Sequence, residues 1–385
     1  MIIMKYFIIA GEASGDIHGA QLIRALREGD PQAQFRFLGG DLMSGAAGVP
    51  PLVHYRDMAY MGFIEVAKHL RRILGFMERT KEQIMRYGPD AVILIDYPSF
   101  NLKIARFAHD AGIPAYYFIS PKVWAWKEYR VKQIKRYVRR VFSILPFEVD
   151  FYRKHDYEVD YVGNPTVGEI DEAISGFSTR EDFCRRNNLP ADKPIIALVP
   201  GSRKKEIRDN LPAMISAALS LADYLPAVAA APNISHDLYG EILGNTGIPV
   251  VSGQTFELVY HARAAAVTSG TATLETALLG TPQVACYRMN GSKWLYKFYR
   301  RLIKGKYVTL PNLISDSPLI PELLLHNCTE NAILGHLRQL TAESPQREAM
   351  KRGYSRLREI LGDSDCARTT AQKIIADLRN RAITA

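Results

Sequence analysis

Cysteine is scarce in this chain of 385 residues: Cys184, Cys286, Cys328 and Cys366 stand far apart, with no C-x-x-C pair. Neither a disulfide framework nor a thiolate zinc site is implied, and the thiols read as reduced, structural and cytoplasmic. Long apolar runs are missing too. The longest, such as those at 91–95 and 227–231, have five residues each, far short of the roughly 20 that a membrane-spanning helix needs. Met1–Ala10 is interrupted by Lys5 and followed by the polar run Gly11–Asp16, which suits a buried first strand better than a signal peptide. The nine histidines form no H-E-x-x-H or similar cluster, so the sequence signals neither a metal nor a His-based nucleophile. Acids are in deficit, 40 against 49 Lys and Arg, for a net charge of +9. That excess favours an anionic partner, whether nucleic acid, anionic lipid or a nucleotide-sugar.

What is present is ordinary globular material, 47% hydrophobic and 23% charged, enough at about 150 residues per domain for two or three domains. Short β-rich runs alternate with helix-length amphipathic stretches, which predicts βαβ units around parallel sheets. The first series is Lys5–Ala10, Phe35–Leu38, Ala91–Asp96, Ala115–Ile119 and Val141–Leu145; the second is Ile195–Val199, Ala227–Ala231, Ala264–Val267 and Gln283–Cys286. Two doubly wound domains are expected, 1–167 and 168–366, with a helix at about 367–385 free to pack on either. No fixed-period repeat or low-complexity segment is found.

Strand ends carry the informative residues. Lys5–Ala10 runs into Gly11-Glu12-Ala13-Ser14-Gly15-Asp16 and then a helix, a turn that exposes backbone N–H groups. It is neither G-x-G-x-x-G nor a P-loop. Its two acids favour hydroxyls over phosphate, and the alternative is a plain turn with Ser14 or Asp16 as N-cap. Asp96 closes AVILI at the edge where open α/β sheets bind ligands, and is a candidate general base or, alternatively, a capping residue. After Ile195–Val199, Arg203 could clamp a diphosphate, whereas Lys204 and Lys205 read as solvated. Ser269, Gly270, Thr271, Ala272 and Thr273 open a helix suited to phosphate, with Glu275 a turn later placed for ribose hydroxyls. Two segments interleave cations with aromatics: Lys122–Arg140, with eight cations and one acid, and Lys293–Tyr307, with six cations and five aromatics. Each is either a solvated helix face or a surface for anionic lipid.

In this order the segments resemble the lipid-A-disaccharide synthase family, bacterial membrane-surface glycosyltransferases of the two-domain GT-B type. The resemblance rests on GEASGD (11–16), IDYPSFN (95–101), SPKVWAW (120–126), LPFE (145–148), LVPGSR (198–203), SGTATLE (269–275), YRM (287–289) and LPNL (310–313). It implies an α/β, GT-B architecture of two Rossmann-like domains facing a central cleft. It implies transfer of 2,3-diacylglucosamine from UDP to the 6-hydroxyl of 2,3-diacylglucosamine 1-phosphate (lipid X), giving a β-1,6 disaccharide and UDP. The transfer would be inverting, with no cofactor and no metal, by an enzyme peripheral on the inner face of the inner membrane. Asp96 would be the base; Arg203 and Ser269–Thr273 would hold the diphosphate and Glu275 the ribose. Tyr287 and Met289 would frame uracil with Asn312 nearby. Gly11, Glu12, Ser14, Gly15, Asp16 and Asn101 would line the acceptor side. Two departures stand out: Gly163-Asn164-Pro165 where the family often has G-H-P, and Pro321-Glu322-Leu323-Leu324-Leu325 where it commonly has P-E-L-x-Q.

Two rival readings use the same residues differently. A UDP-sugar epimerase would also want a phosphate loop and a ribose-binding Glu, but no lipid-facing surface. An RNA-binding protein would use the positive charge along a stripe, whereas here the informative residues sit at strand ends, so no nucleic-acid partner is expected. A homodimer is compatible with the sequence.

Overall fold

The computed structural model describes residues 3–59, 66–288, 306–362 and 365–384, with backbone alone for 59, 66–74, 125–126 and 382–384. The chain divides into two units, Met1–Asn164 with Asp365–Ala385, and Pro165–Ser364.

In the first unit the strands are β1 (Lys5–Ala10), β2 (Gln34–Gly39), β3 (Val53–His54), β4 (Ala91–Ile95), β5 (Ala115–Phe118), β6 (Arg140–Ser143) and β7 (Asp160–Tyr161). They form one parallel sheet in the order β3-β2-β1-β4-β5-β6-β7. Because helices cover both faces, the central strands are apolar throughout: every residue of AVILI is buried. Alternate β1 residues feed two cores, Tyr6, Ile8 and Ala10 on one face and Phe7 and Ile9 on the other. The helix Cys366–Thr384 returns to this unit, adding Ala371, Ile374, Ile375 and Leu378 to the first core. Each Ile or Leu among them contributes about 1.5–3 kcal/mol on full burial. Polar contacts fix its register: Asp377 takes a hydrogen bond from Tyr116 at 2.5 Å and pairs with Arg139, and Lys373 meets Asp160 at 2.9 Å.

The second unit repeats the plan with β8 (Ile195–Val199), β9 (Leu225–Ala230), β10 (Val250–Ser252), β11 (Ala262–Thr268), β12 (Gln283–Tyr287) and β13 (Glu322–Leu324), in parallel order β10-β9-β8-β11-β12-β13. Strand order reverses between β1 and β4 in one sheet and between β8 and β11 in the other. Such switch points open a crevice at the carboxyl ends of the strands. All four cysteines are buried free thiols. Among the described residues no helix is long and apolar enough to cross a membrane.

Candidate active site

The switch point of the first unit gathers the acceptor-side residues. Ala10 and Ile95 are register partners at the ends of β1 and β4, so the Gly11 turn and Asp96 emerge side by side. The approach is close: a Cβ on Gly11 would stand 2.4 Å from the Tyr97 ring, and only glycine fits there. Asp96 and Tyr97 both adopt left-handed backbone (φ 41° and 46°), a conformation costly for non-glycine residues and typical of functional turns. Three contacts hold it. Buried Asn101 donates Nδ2 hydrogen bonds to the Ile95 and Asp96 carbonyls at 3.1 and 2.8 Å, and the Tyr117 hydroxyl donates to the Asp96 carbonyl at 2.5 Å. The Asp96 carboxyl opens to solvent yet sits against a crowded strand end. Loss of hydration raises its pKa, and the Glu12 charge adds to the rise while Lys122 opposes it. A carboxylate made more basic in this way is suited to taking a proton.

The other residues of that turn divide between surface and interior. Glu12 and Ser14 are exposed, and Gly15 packs where a Cβ would lie 3.1 Å from that of Ala10. Asp16 corrects the acceptor-side assignment. Its carboxylate is 3% exposed and accepts the backbone N–H groups of Gly40, Leu42 and Met43 at 2.7, 3.1 and 3.1 Å. It therefore caps the helix Asp41–Ala47, and its oxygens are taken up before any ligand arrives.

Behind the β5 and β6 ends lies a polar group that motif reasoning left without a role. Glu148 is 1% exposed; it accepts Trp124 Nε1–H at 3.0 Å and the Ser143 hydroxyl. Burial pushes its pKa up to about 8, so it is held mostly neutral near pH 7. Ser120 bonds the Tyr152 hydroxyl at 2.8 Å alongside. The SPKVWAW and LPFE segments are thus one hydrogen-bonded unit, their joint presence in the sequence being the only signal. Tyr117 gave none, lying inside an apolar strand. Asn164, at the departure from G-H-P, is buried and donates to the Ile144 carbonyl at 2.8 Å.

In the second unit Val199 and Val267 are register partners, which brings the Gly201 turn beside Ser269. Gly201 needs its positive φ of 109°, and a Cβ there would meet Glu206 at 2.8 Å. Arg203 projects into solvent and pairs with Glu206 at 2.8 Å. An exposed pair of this kind is worth only about 0–1 kcal/mol, so the guanidinium can be shared with an anion. Ser269 and Gly270 precede the helix Thr271–Leu278; its N-cap Gly270 has no side chain, and among the described residues none caps the helix start, leaving its positive end open. Thr273 faces inward: it is fully buried and its hydroxyl donates to the Gly270 carbonyl at 2.7 Å. Glu275 is half-buried; burial and the neighbouring Glu169 push its pKa up to about 7. Tyr287 ends β12, half-buried, on the next strand along.

Two nucleotide-side assignments fare differently. Asn312 is 1% exposed, donates to the Ile320 carbonyl and Glu322, and accepts Ile320 N–H, at 2.9, 3.0 and 2.8 Å. Its amide thus ties 310–315 to β13. Met289 lies outside the described residues, as do Lys293–Gly305. Lys306 is exposed and Tyr307 buried. Among the described residues no group of three or more His, Cys, Asp or Glu is arranged to hold a metal ion.

Residues 6–375 match the Lipid-A-disaccharide synthetase family. The chain belongs to that family. Its relatives include the lipid-A-disaccharide synthases of Acidobacterium capsulatum, 39% identical over 94% of each chain, and Myxococcus xanthus, 37% identical over 96% of this chain and 97% of that one. As a family member it is a glycosyltransferase of lipid A disaccharide synthesis. Solved structures share the fold at low identity. The Neisseria meningitidis UDP-GlcNAc 2-epimerase matches with a TM-score of 0.64 at 11% identity, covering 98% of this chain and all of that one. The calicheamicin glycosyltransferase matches with 0.60 at 15%, covering 99% and 100%.

Proposed function

We propose that this member of the family transfers 2,3-diacylglucosamine from UDP to the 6-hydroxyl of 2,3-diacylglucosamine 1-phosphate, with inversion and without a metal. Asp96 takes the proton of the 6-hydroxyl as its oxygen attacks the anomeric carbon from the face opposite UDP. The C1–O bond to the diphosphate breaks, and the β-1,6 link forms. Negative charge growing on UDP is met by the open N-terminus of Thr271–Leu278 and by Arg203, preorganised donors that need little rearrangement. Glu275, whose carboxyl has no hydrogen-bond partner among the described residues, accepts from the ribose hydroxyls. The acyl chains of both sugars stay in a bilayer, so the enzyme works as a peripheral protein on the inner face of the inner membrane.

The observation that carries this reading is Asp96 itself: a carboxyl of raised pKa on a strained turn at the switch point, beside the Gly11 turn. General-base assistance is typically worth about 10²–10⁴-fold. Asp96→Asn is therefore expected to lower kcat by that order while UDP affinity, measured calorimetrically, stays near that of the wild type. Near wild-type turnover in the folded variant would remove the base. EDTA is expected to leave turnover intact; loss on chelation with recovery on adding magnesium would contradict the metal-free step.

A further inference from the structure

The Asp96 turn has a cationic side that deprotonating a hydroxyl does not use. Lys122 is exposed on the segment after β5 and close enough to lower the pKa of Asp96. Arg130 donates to the Ser99 hydroxyl at 3.2 Å, three residues beyond Asp96, and its charge reaches the Tyr117 hydroxyl that holds the Asp96 carbonyl. Neither cation forms an ion pair with a described carboxylate. Glu148, which the Lys122 charge also reaches, is turned into the interior toward Trp124 and Ser143 and held mostly neutral near pH 7, so it does not cancel the ammonium charge. The turn thus gathers charges of both signs: the carboxyls of Asp96 and Glu12, the Lys122 ammonium acting on Asp96, and the Arg130 guanidinium on Ser99. A guanidinium and an ammonium beside one turn suit a phosphomonoester, the first as a planar fork and the second as a point charge.

We propose that Lys122 and Arg130 form the subsite for the phosphate of the acceptor sugar. This rests on the acceptor reading of the Asp96 turn and extends it. In the acceptor the carbon that bears the phosphate and the carbon that bears the CH2OH arm flank the ring oxygen, so a turn that offers a carboxylate to the 6-hydroxyl and cations to the phosphate holds both at once. The cations act on binding and orientation; the proton still goes to Asp96.

The test compares two acceptors, 2,3-diacylglucosamine with and without its 1-phosphate, in neutral-detergent micelles that contain no other phosphate ester. Lys122→Met, Arg130→Met and the double variant are assayed by turnover, and by competition against the phosphorylated acceptor where turnover of the other is slow. The wild type should prefer the phosphorylated acceptor by about tenfold or more in KM, the worth of one good charge-assisted contact. The double variant should lose that preference, its KM ratio for the two acceptors approaching one even where a changed Asp96 titration slows both alike, and unchanged UDP affinity certifies its fold. Equal losses on both acceptors that leave the KM ratio as it was, or no preference in the wild type, overturn the subsite. An effect seen only on anionic vesicles, whatever the acceptor, assigns the two cations to lipid headgroups and overturns it too. Absence of disaccharide from either acceptor with the wild type would instead strike the proposed reaction.

Discussion

At the scale of single residues, Glu148 shows how burial turns one carboxyl into a structural acid. A glutamate ionises near 4.5 in an unfolded chain, but here burial moves it to about 8. Between those values the folded state binds more protons than the unfolded one, so stability falls as pH rises across the window and levels off above it. Glu148→Gln keeps the shape and removes the titration. Urea denaturation at intervals from pH 5 to 9 should show a decline for the wild type from this residue and a flatter profile for the variant; identical profiles would mean that Glu148 does not titrate there. Asp96, Arg203 and Glu275 could be singled out in sequence because each sits where an apolar strand stops or a helix starts. Asp16 and Asn312 could be singled out too, but not the use to which they are put. Whether a side chain turns to a ligand or back onto the chain depends on tertiary neighbours such as Gly40 and Ile320, many residues away.

Among elements, the central strands were legible and the margins were not. Lys5–Ala10 and Ile195–Val199 coincide with the observed bounds of β1 and β8, since strands covered on both faces must be apolar throughout. The strands absent from the sequence reading, β3, β7, β10 and β13, are the edges of the two sheets and have only two or three residues each. So short an edge needs no apolar run and leaves no periodic signal. The sequence also placed Asp96 within its strand, whereas the strand stops at Ile95 and Asp96 turns left-handed. The helix Asp41–Ala47 offers a direct check on the role of Asp16. Replacing a buried carboxylate that accepts three N–H groups leaves those donors unsatisfied, at a cost of about 1–3 kcal/mol. Asp16→Ala should lower the denaturation midpoint accordingly while the acceptor KM stays within about twofold; a large KM change at unchanged stability would return Asp16 to the ligand side.

For the whole molecule, a net charge of +9 and lipid substrates argue for electrostatic docking on an anionic surface. In sequence, two elements suit this contact: Tyr60–Met77, where Met61, Phe63, Ile64, Leu70, Ile73, Leu74, Phe76 and Met77 stand near Lys68, Arg71 and Arg72, and the basic, aromatic Lys293–Tyr307. Of the first, Tyr60–Met77, residues 60–65 lie outside the described residues, while Phe76 and Met77 belong to the core, Phe76 against Phe100 with ring centroids 5.3 Å apart. Lys293–Tyr307 keeps its six cations. At about 1 kcal/mol per cation near an anionic membrane, binding should be strong at low salt and fade as the Debye length falls to about 3 Å at 1 M. Co-sedimentation with anionic vesicles should therefore drop with salt and with the triple variant Lys297→Glu, Arg300→Glu, Arg301→Glu; binding insensitive to both would exclude this docking mode. The family, the two Rossmann-like units and the switch-point residues converge on one reaction, and one assay addresses it most directly. UDP-2,3-diacylglucosamine is incubated with the enzyme alone and with 2,3-diacylglucosamine 1-phosphate, and UDP and saccharide products are followed together. UDP should appear only with the acceptor and in step with a β-1,6 disaccharide; conversion of the UDP-sugar without the acceptor, or UDP release with no disaccharide, would contradict the account.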